Sequence, residues 1–347
     1  VDAFVMAFSI PSFAIMVVAN AMGTALLPTL TRVRKEHGPA GARKLLRDAT
    51  TWCLILLLVS AALLMINSVW IFRVLCPDYD EPKQALARGL LLLLCPTVVF
   101  HGLAALWGSV LHSHERFVAT GIVPIVTPII AMACMLWGAS VWGIYTLAFG
   151  IMLGSMAEAT AIGWTLVRRG YRPWPSLAGV SPELRLVLNQ YWPLIAAALL
   201  MGSTTLVDNA MASWLGSGSV ATLSYGRKLV GLALTIPALS LSRAVFPYFA
   251  KMVAEDDWQQ IRHTLRTYRR LILLGTIPLT VLMVVFSRPL TALILERGAF
   301  DAASTSEVAW AQAMYALQIP FYTLGILYVR LASSLRMNHL LTVSTVI

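Results

Sequence analysis

Two ionisable residues inside apolar stretches could form an anion-binding site. Asp208 and Arg227 each occur within a long apolar run, near the ends that meet at segment 214–220. If these runs are helices that cross a membrane, both residues lie roughly 8–10 Å below the same surface, at about 1.5 Å per residue. A guanidinium oriented by a carboxylate suits a phosphate or carboxylate ligand. The alternatives are a structural ion pair, or two side chains that reach the interface separately.

Lys228 and Glu158 are further candidates inside apolar runs. Lys228 projects about 100° away from Arg227 on a helix, so the two side chains face different sides of that helix. Glu158 is the deepest charge, slightly past the middle of run 144–167. It is either a proton- or ion-coupling carboxylate or a neutral glutamate that is hydrogen-bonded between helices. His101 also lies in an apolar run, where we expect a packed core histidine.

The chain carries no signature of a catalytic or metal centre. We find no GxSxG, Walker A or HExxH motif and no paired carboxylates in an aqueous loop. The four cysteines have neither CxxC nor Cys/His spacing, and His112 and His114 have no third ligand nearby. We therefore expect a protein that is not an enzyme and has no cofactor or metal.

The composition places these residues in a membrane protein. Hydrophobic residues make up 58% of the 347 residues and charged residues only 12%, whereas soluble domains average about 25% charged. So little charge cannot cover a soluble surface of this size. The net charge of +10 does not indicate nucleic-acid binding, because the basic residues lie between apolar runs and not in one groove.

The apolar runs are long enough to be membrane-spanning helices. A helix needs roughly 20 apolar residues to cross the hydrocarbon core, and unpaired backbone groups exclude other spanning structures where no barrel-like alternation occurs. The sequence therefore predicts an all-α, polytopic transmembrane helical bundle. Nine spans and a stub are predicted, at 3–29, 50–72, 88–110, 118–140, 144–167, 191–213, 221–248, 271–290, 307–330 and from 339 onward.

The distribution of Lys and Arg predicts the orientation. The loops that follow the odd-numbered spans, beginning with 30–49, together hold 18 basic residues, whereas the alternate loops hold 5. The first set is therefore predicted to be cytoplasmic. Within it, 30–49 and 249–270 have basic residues at helical spacing beside apolar ones, which indicates surface helices on the anionic cytoplasmic leaflet. Substrate contact is the alternative role for these segments.

An internal repeat divides the chain into two similar halves. ALLPTLTRVRKE from Ala25 resembles AVFPYFAKMVAE from Ala244, at a constant offset of 219 residues. Both copies run in the same direction through the membrane, which predicts two pseudo-symmetric lobes with a binding site between them. We place the N-terminal lobe at 1–180, lacking its first span, and the C-terminal lobe at 181–347, lacking its last spans. Two equivalent half-bundles favour an alternating-access carrier.

Several motifs resemble one known family of membrane transporters. DAFVMAFSIPSF opens the first span and ALLPTLTR ends it, VDNAMASWLGSGSVATLSYGRKL occupies 207–229, and LILERGAFDAAST occupies 293–305. In this order they resemble the lipid II flippases called MurJ or MviN, part of the multidrug/oligosaccharidyl-lipid/polysaccharide exporter superfamily. The similarity covers nearly the whole chain. Each motif alone is weak, but together they are fairly specific to this family.

The resemblance implies a 14-span carrier in the bacterial inner membrane, driven by an ion gradient or the membrane potential. Its implied substrate is lipid II, an undecaprenyl-diphosphate-linked peptidoglycan precursor, held in a central cationic cavity with its lipid tail in a groove. Arg227 matches a cavity arginine of the family, and Asp2 joins Arg227, Asp208 and Lys228 in the predicted substrate-binding set. Expected partners are the lipid-linked precursor, anionic membrane lipids and cell-wall or polysaccharide synthesis machinery, with no nucleic acid.

Two departures from the family pattern leave the substrate open. The stretch Ala14–Ile15–Met16 stands where the family has cavity arginines, and Val230 stands where it has a glutamate. A flippase for an exopolysaccharide or O-antigen unit linked to the same lipid is therefore a second interpretation. A drug or cation exporter of the superfamily is a third, and a membrane scaffold or transferase a fourth.

Overall fold

The computed structural model describes residues 1–112, 121–171, 174–175, 181–254, 258–298 and 300–334. Throughout these ranges the regular structure is helical, with no strand, which confirms the all-α prediction. The helices are α1 Asp2–Ile15, α2 Ala21–Ile66, α3 Ser68–Leu75, α4 Glu81–His112, α5 Val126–Trp142, α6 Ile144–Val167, α7 Pro182–Ser213, α8 Ser219–Ala254, α9 Trp258–Val285, α10 Ser287–Leu295, α11 Ala302–Ala316 and α12 Ile319–Ser334.

The chain is a multi-pass membrane protein. Within the described residues, six helical segments are long and apolar enough to cross a membrane. The first of them is 65 residues long, which is enough for two crossings at about 20 residues each. The segments are Asp2–Ile66, Glu81–Leu111, Val123–Trp142, Ile144–Val167, Pro182–Ser213 and Trp258–Val285.

The first two predicted spans and the basic segment between them form one nearly continuous helical run. A π-helical turn at Met16–Asn20 joins α1 to α2. The helix then continues through 30–49 and bends at Gly38, where φ is +69°. Glycine adopts this left-handed backbone without a steric penalty. The basic segment is therefore helical, as expected, but it has no loop on either side.

Several predicted spans are shorter in the structure than in the sequence pattern. Span 50–72 is interrupted at Asn67, and span 271–290 is interrupted at Phe286, between α9 and α10. Span 307–330 is divided at Leu317–Gln318, just before Pro320 at the start of α12, because proline has no N–H to bond the carbonyl of Ala316 and its ring clashes with that carbonyl in a continuous helix. The stub from 339 lies outside the described residues, as do residues 113–117 and 335–338 of the predicted loops.

The chain forms two compact units, Val1–Leu215 and a second unit that begins at Gly216. The first is centred on α2, whose Met22, Leu26, Leu46 and Leu57 are essentially fully buried. Its last helix, α7, packs against α2 and α1. The repeat assigns α7 to the second lobe, whereas packing places α7 in the first unit. The boundary between the packed units therefore falls later in the chain than the predicted boundary between lobes. The lobes 1–180 and 181–347 stay a prediction. In the second unit, α8 packs against α11 and α12.

Candidate functional site

The first unit contains a cavity of about 620 Å³. Its walls come from α1, the π-helical turn, α2, α4 and α6, together with a single turn before α5. Most of the lining side chains are apolar or carry a hydroxyl that donates to a carbonyl of its own helix, as Ser12, Thr24 and Ser109 do. The amide of Asn20 and two titratable side chains, His101 and Glu158, complete the lining.

Glu158 is held in this wall by side chains from two other helices. Its Oε2 lies 3.1 Å from His101 Nε2 on α4 and accepts a 2.7 Å hydrogen bond from Thr127 Oγ1 on α5. Only 7% of Glu158 is exposed. The sequence identified Glu158 as a candidate and predicted for His101 a purely packing role. The structure brings the two together, so His101 is a polar partner that the sequence interpretation missed.

Close contact between α5 and α6 makes this network possible. A Cβ at Gly150 would lie 2.7 Å from Ala131 Cα, and one at Gly154 would lie 2.7 Å from Thr127 Cα. Gly150, Gly154 and Glu158 recur every fourth residue, so they share one face of α6. Small residues at this spacing let membrane helices approach closely. The spacing G-x-x-x-G-x-x-x-E is the sequence signal that would have indicated a closely packed helix beside Glu158.

Asp2 is buried at the start of α1 and lies next to a lysine. Its Oδ2 is 3.4 Å from Lys83 Nζ on α4, and only 5% of Asp2 is exposed. The same ammonium lies 4.0 Å from the centre of the Tyr79 ring. A lysine between a carboxylate and an aromatic face is favourably placed. The ion pair joins α1 to α4, and the substrate-binding role of Asp2 stays a prediction.

Arg227 is half-buried on α8, in a turn whose backbone is fixed by packing. A Cβ at Gly226 would lie 2.9 Å from the backbone nitrogen of Gln312 on α11. Val230, one turn later, is fully buried against Ala316 and Ile319. The position at which the family resemblance expects a glutamate is therefore an apolar packing position. Close packing on both sides of Arg227 fixes the backbone from which its side chain projects.

Lys228 and Asp208 differ from Arg227 in exposure and in surroundings. Lys228 is exposed, with its ammonium 5.7 Å from the centre of the Tyr225 ring. Asp208 is half-buried near the end of α7. It belongs to the first unit and Arg227 to the second, so their predicted partnership stays a prediction.

The motif LILERGAFDAAST forms a structural turn. Asp301 caps α11 by accepting a 2.9 Å hydrogen bond from the backbone N–H of Ser304, and this bond lowers the pKa of the exposed carboxyl below its ordinary value. Thr305 Oγ1 donates to Glu296 Oε2 at 3.0 Å across the turn. Gly298 has a φ of +65°. These contacts account for the residue types of the motif by local geometry.

The two basic segments present their charges to solvent on amphipathic helices. Arg43 and Lys44 are exposed on α2, while Leu45 and Leu46 beside them are buried in the core of the first unit. On α9 the exposed basic residues are Arg262, Arg266, Arg269 and Arg270. Charged faces of this kind suit contact with anionic lipid headgroups.

The chain is similar to known proteins over nearly its whole length. The family described as lipid II flippase MurJ matches residues 1–331. A probable lipid II flippase MurJ of Rhizobium meliloti is 23% identical over 93% of this chain and 62% of the relative. The lipid II flippase MurJ of Burkholderia cenocepacia is 23% identical over 91% of this chain and 63% of the relative. The chain therefore spans a little over three-fifths of the length of these curated relatives.

Solved structures share the fold. The lipid II flippase MurJ in an inward closed conformation superposes with a TM-score of 0.78 at 20% identity, over 96% of this chain and 69% of that one. An inward-facing multidrug resistance MATE transporter superposes with a TM-score of 0.73 at 13% identity, over 96% and 80%. The family match over residues 1–331 goes beyond a shared fold, and the chain belongs to the lipid II flippase MurJ family.

Proposed function

We propose that the protein is a flippase that moves lipid II, an undecaprenyl-diphosphate-linked peptidoglycan precursor, across the bacterial inner membrane by alternating access. The observation that carries the proposal is the family match over residues 1–331. The relatives from Rhizobium meliloti and Burkholderia cenocepacia bear the name of this activity. The multi-pass helical architecture supports a carrier.

In this proposal Arg227 binds the diphosphate of the precursor. A guanidinium presents a fork of donors that fits phosphate oxygens bidentately. Lys228, exposed one residue later, adds a second positive charge. Asp208 orients the cation, and Asp2, buried beside Lys83, is the remaining member of the proposed substrate-binding set. Expected partners are anionic lipids of the cytoplasmic leaflet and cell-wall synthesis machinery.

A flippase for a lipid-linked exopolysaccharide or O-antigen unit is the second candidate. The observation that favours it is the lining of the cavity in the first unit, where no Lys or Arg occurs among the described residues. Ile15 lies in that lining, within the stretch where the family resemblance expects arginines. A substrate with a different glycan would account for an apolar wall at this place.

Complementation tests the proposed function. The full-length gene is expressed in a bacterium depleted of its own lipid II flippase, and growth and accumulated lipid II are measured. We expect restored growth and normal lipid II levels. Restoration of an exopolysaccharide-flippase mutant without rescue of the lipid II strain would transfer the proposal to the second candidate. Rescue of neither strain at a normal protein level would overturn both.

The proposed orientation gives a second prediction. In a cysteine-free full-length background, a membrane-impermeant thiol reagent applied to the periplasmic side is expected to modify Ser217→Cys. It is expected to leave Glu36→Cys and Trp258→Cys unmodified, because their neighbourhoods carry most of the basic residues predicted to be cytoplasmic. All three positions are exposed. Glu36 is preferred to Gly38, whose left-handed backbone a cysteine would strain. Modification of Glu36→Cys in intact cells would reverse the orientation.

A further inference from the structure

The cavity in the first unit is lined by a hydrogen-bonded acid–base pair. The proposed binding of the diphosphate by Arg227 gives this pair no role. His101 Nε2 and Glu158 Oε2 are 3.1 Å apart, and both residues line the cavity. The pair therefore combines two features of a proton-binding site. An acid and a base lie within hydrogen-bonding distance of each other, and both face the same cavity inside a membrane protein.

The protons bound by the pair set the net charge of the cavity wall, because no other titratable group lines the cavity within the described residues. Helix α5, which supplies Thr127, has no Asp, Glu, His, Lys or Arg. On α4 the nearest cation toward the N-terminus is Arg88, 13 residues from His101, or about 20 Å along the helix. The segments of α1 and α2 that line the cavity contain no charged residue, and Glu158 is the only charged residue of α6.

A change in protonation therefore changes the net charge of this wall. With a carboxylate and a neutral imidazole the pair carries one negative charge, and one added proton brings it to zero. An isolated charge is costly at this depth in a membrane protein. Thr127 donates to the same carboxylate oxygen, which supports the charged carboxylate with a neutral donor. Imidazole is the side chain that ordinarily titrates between about pH 5 and 8.

We propose that His101 and Glu158 bind a proton in the cavity of the first unit and that this proton couples transport to the proton gradient. Proton binding stands on the geometry alone, whereas the coupling rests on the proposed flippase function. The proton comes from water on one side of the membrane and leaves to the other. The protonated, neutral pair stabilises a state in which the cavity wall is closed, and the charged pair stabilises a state in which water reaches it.

Proton uptake by the purified full-length protein tests the site without any transport assay. The unaltered protein is titrated between about pH 5 and 8, and bound protons and the carboxyl band in the infrared spectrum are measured. We expect Glu158→Gln and His101→Gln each to lose one proton of uptake relative to the unaltered protein. The matched control is Ser155→Ala on the same helix, which removes a buried hydroxyl that, among the described residues, bonds only to the carbonyl of Met152 within α6.

The loss of one titrating proton in both variants, but not in Ser155→Ala, supports the site. Unchanged uptake in Glu158→Gln would overturn it and leave the pair as a structural hydrogen bond between helices. If Glu158→Gln does not fold, His101→Gln still tests the site, because this variant removes the base of the pair from α4 and leaves α6 unchanged. The two variants remove different partners of one pair, so a real site requires the same step to disappear from both.

The coupling is tested in proteoliposomes containing full-length protein and labelled lipid II. An imposed proton gradient is expected to accelerate flipping by the unaltered protein and by Ser155→Ala. Glu158→Gln is expected to lose this acceleration while still exchanging lipid II slowly without a gradient. Equal acceleration of Glu158→Gln would overturn the coupling. Failure of the unaltered protein to flip lipid II would overturn the proposed function and the coupling together, and the proton titration would still decide the site.

Discussion

Replacing Arg227 with alanine is expected to abolish flipping while the protein still inserts into the membrane. Removing one partner of a buried, hydrogen-bonded charge pair costs about 2–5 kcal/mol, and 3 kcal/mol corresponds to roughly a 100-fold loss of affinity. A diphosphate that has lost its guanidinium would be left with unpaired negative charge. Insertion should survive, because the backbone of this turn is held by Gly226 and Val230 and not by the guanidinium.

Conservative variants separate the guanidinium fork from charge alone. Arg227→Lys keeps the positive charge but loses the bidentate geometry, so we expect partial activity. Asp208→Asn should have a milder effect than Arg227→Ala, because in the proposed site the carboxylate only orients the cation. The measurement is rescue of a flippase-depleted strain by the full-length gene, with the amount of membrane protein determined in parallel.

The matched control for this series is Arg288→Ala. Arg288 is an exposed arginine of α10 in the same unit, and we expect its removal to leave rescue unchanged. Full rescue by a normally expressed Arg227→Ala would eliminate the diphosphate site and leave Arg227 with a structural role. Equal loss in Arg227→Ala and Arg288→Ala would indicate a general need for positive charge on this unit.

Helix type and membrane location were predictable because they depend on composition and run length. Run 144–167 coincides with α6, since Gly143 with a φ of +53° and the basic residues after Val167 mark its ends. Breaks inside apolar stretches were harder to predict. The interruption at Phe286 separates two apolar helices, and a hydropathy pattern carries no signal where both sides are apolar.

The candidate site was predictable only as a set of separate residues. A charge in an apolar run is visible in the sequence, so Glu158 and Arg227 stood out. The partner of such a charge lies on another helix, and single-sequence periodicity does not say which helices touch. His101 lies 57 residues before Glu158 and has an ordinary apolar context. Its role became visible only when the packing of α4 against α6 was known.

The glycine face of α6 gives the second large expected effect, on stability. Gly154→Ala is expected to lower the thermal unfolding midpoint of the purified full-length protein substantially. The added Cβ would lie 2.7 Å from the Cα and 2.9 Å from the carbonyl oxygen of Thr127. Both are backbone atoms of α5, so no side-chain rotation relieves the clash and the helices must separate. Overpacking of this kind costs about 1–3 kcal/mol.

Gly275→Ala provides a matched control for the glycine substitution. It makes the same chemical change inside α9, at a position with no atom within 4 Å of the added Cβ. Alanine favours a helix over glycine by about 1 kcal/mol, so this variant should be as stable as the unaltered protein or more so. Similar midpoints for the two variants would contradict the close contact between α5 and α6.

Separation of α5 from α6 should also disturb the hydrogen bonds of Glu158, which lies one turn from Gly154 on α6. Thr127 is both the residue that Gly154 contacts and the donor to Glu158, so moving its backbone lengthens the 2.7 Å hydrogen bond. The proton titration of Gly154→Ala should therefore differ from that of the unaltered protein even at a temperature where both are folded. A lowered midpoint with an unchanged titration would show that Thr127 is not needed to hold Glu158 in place.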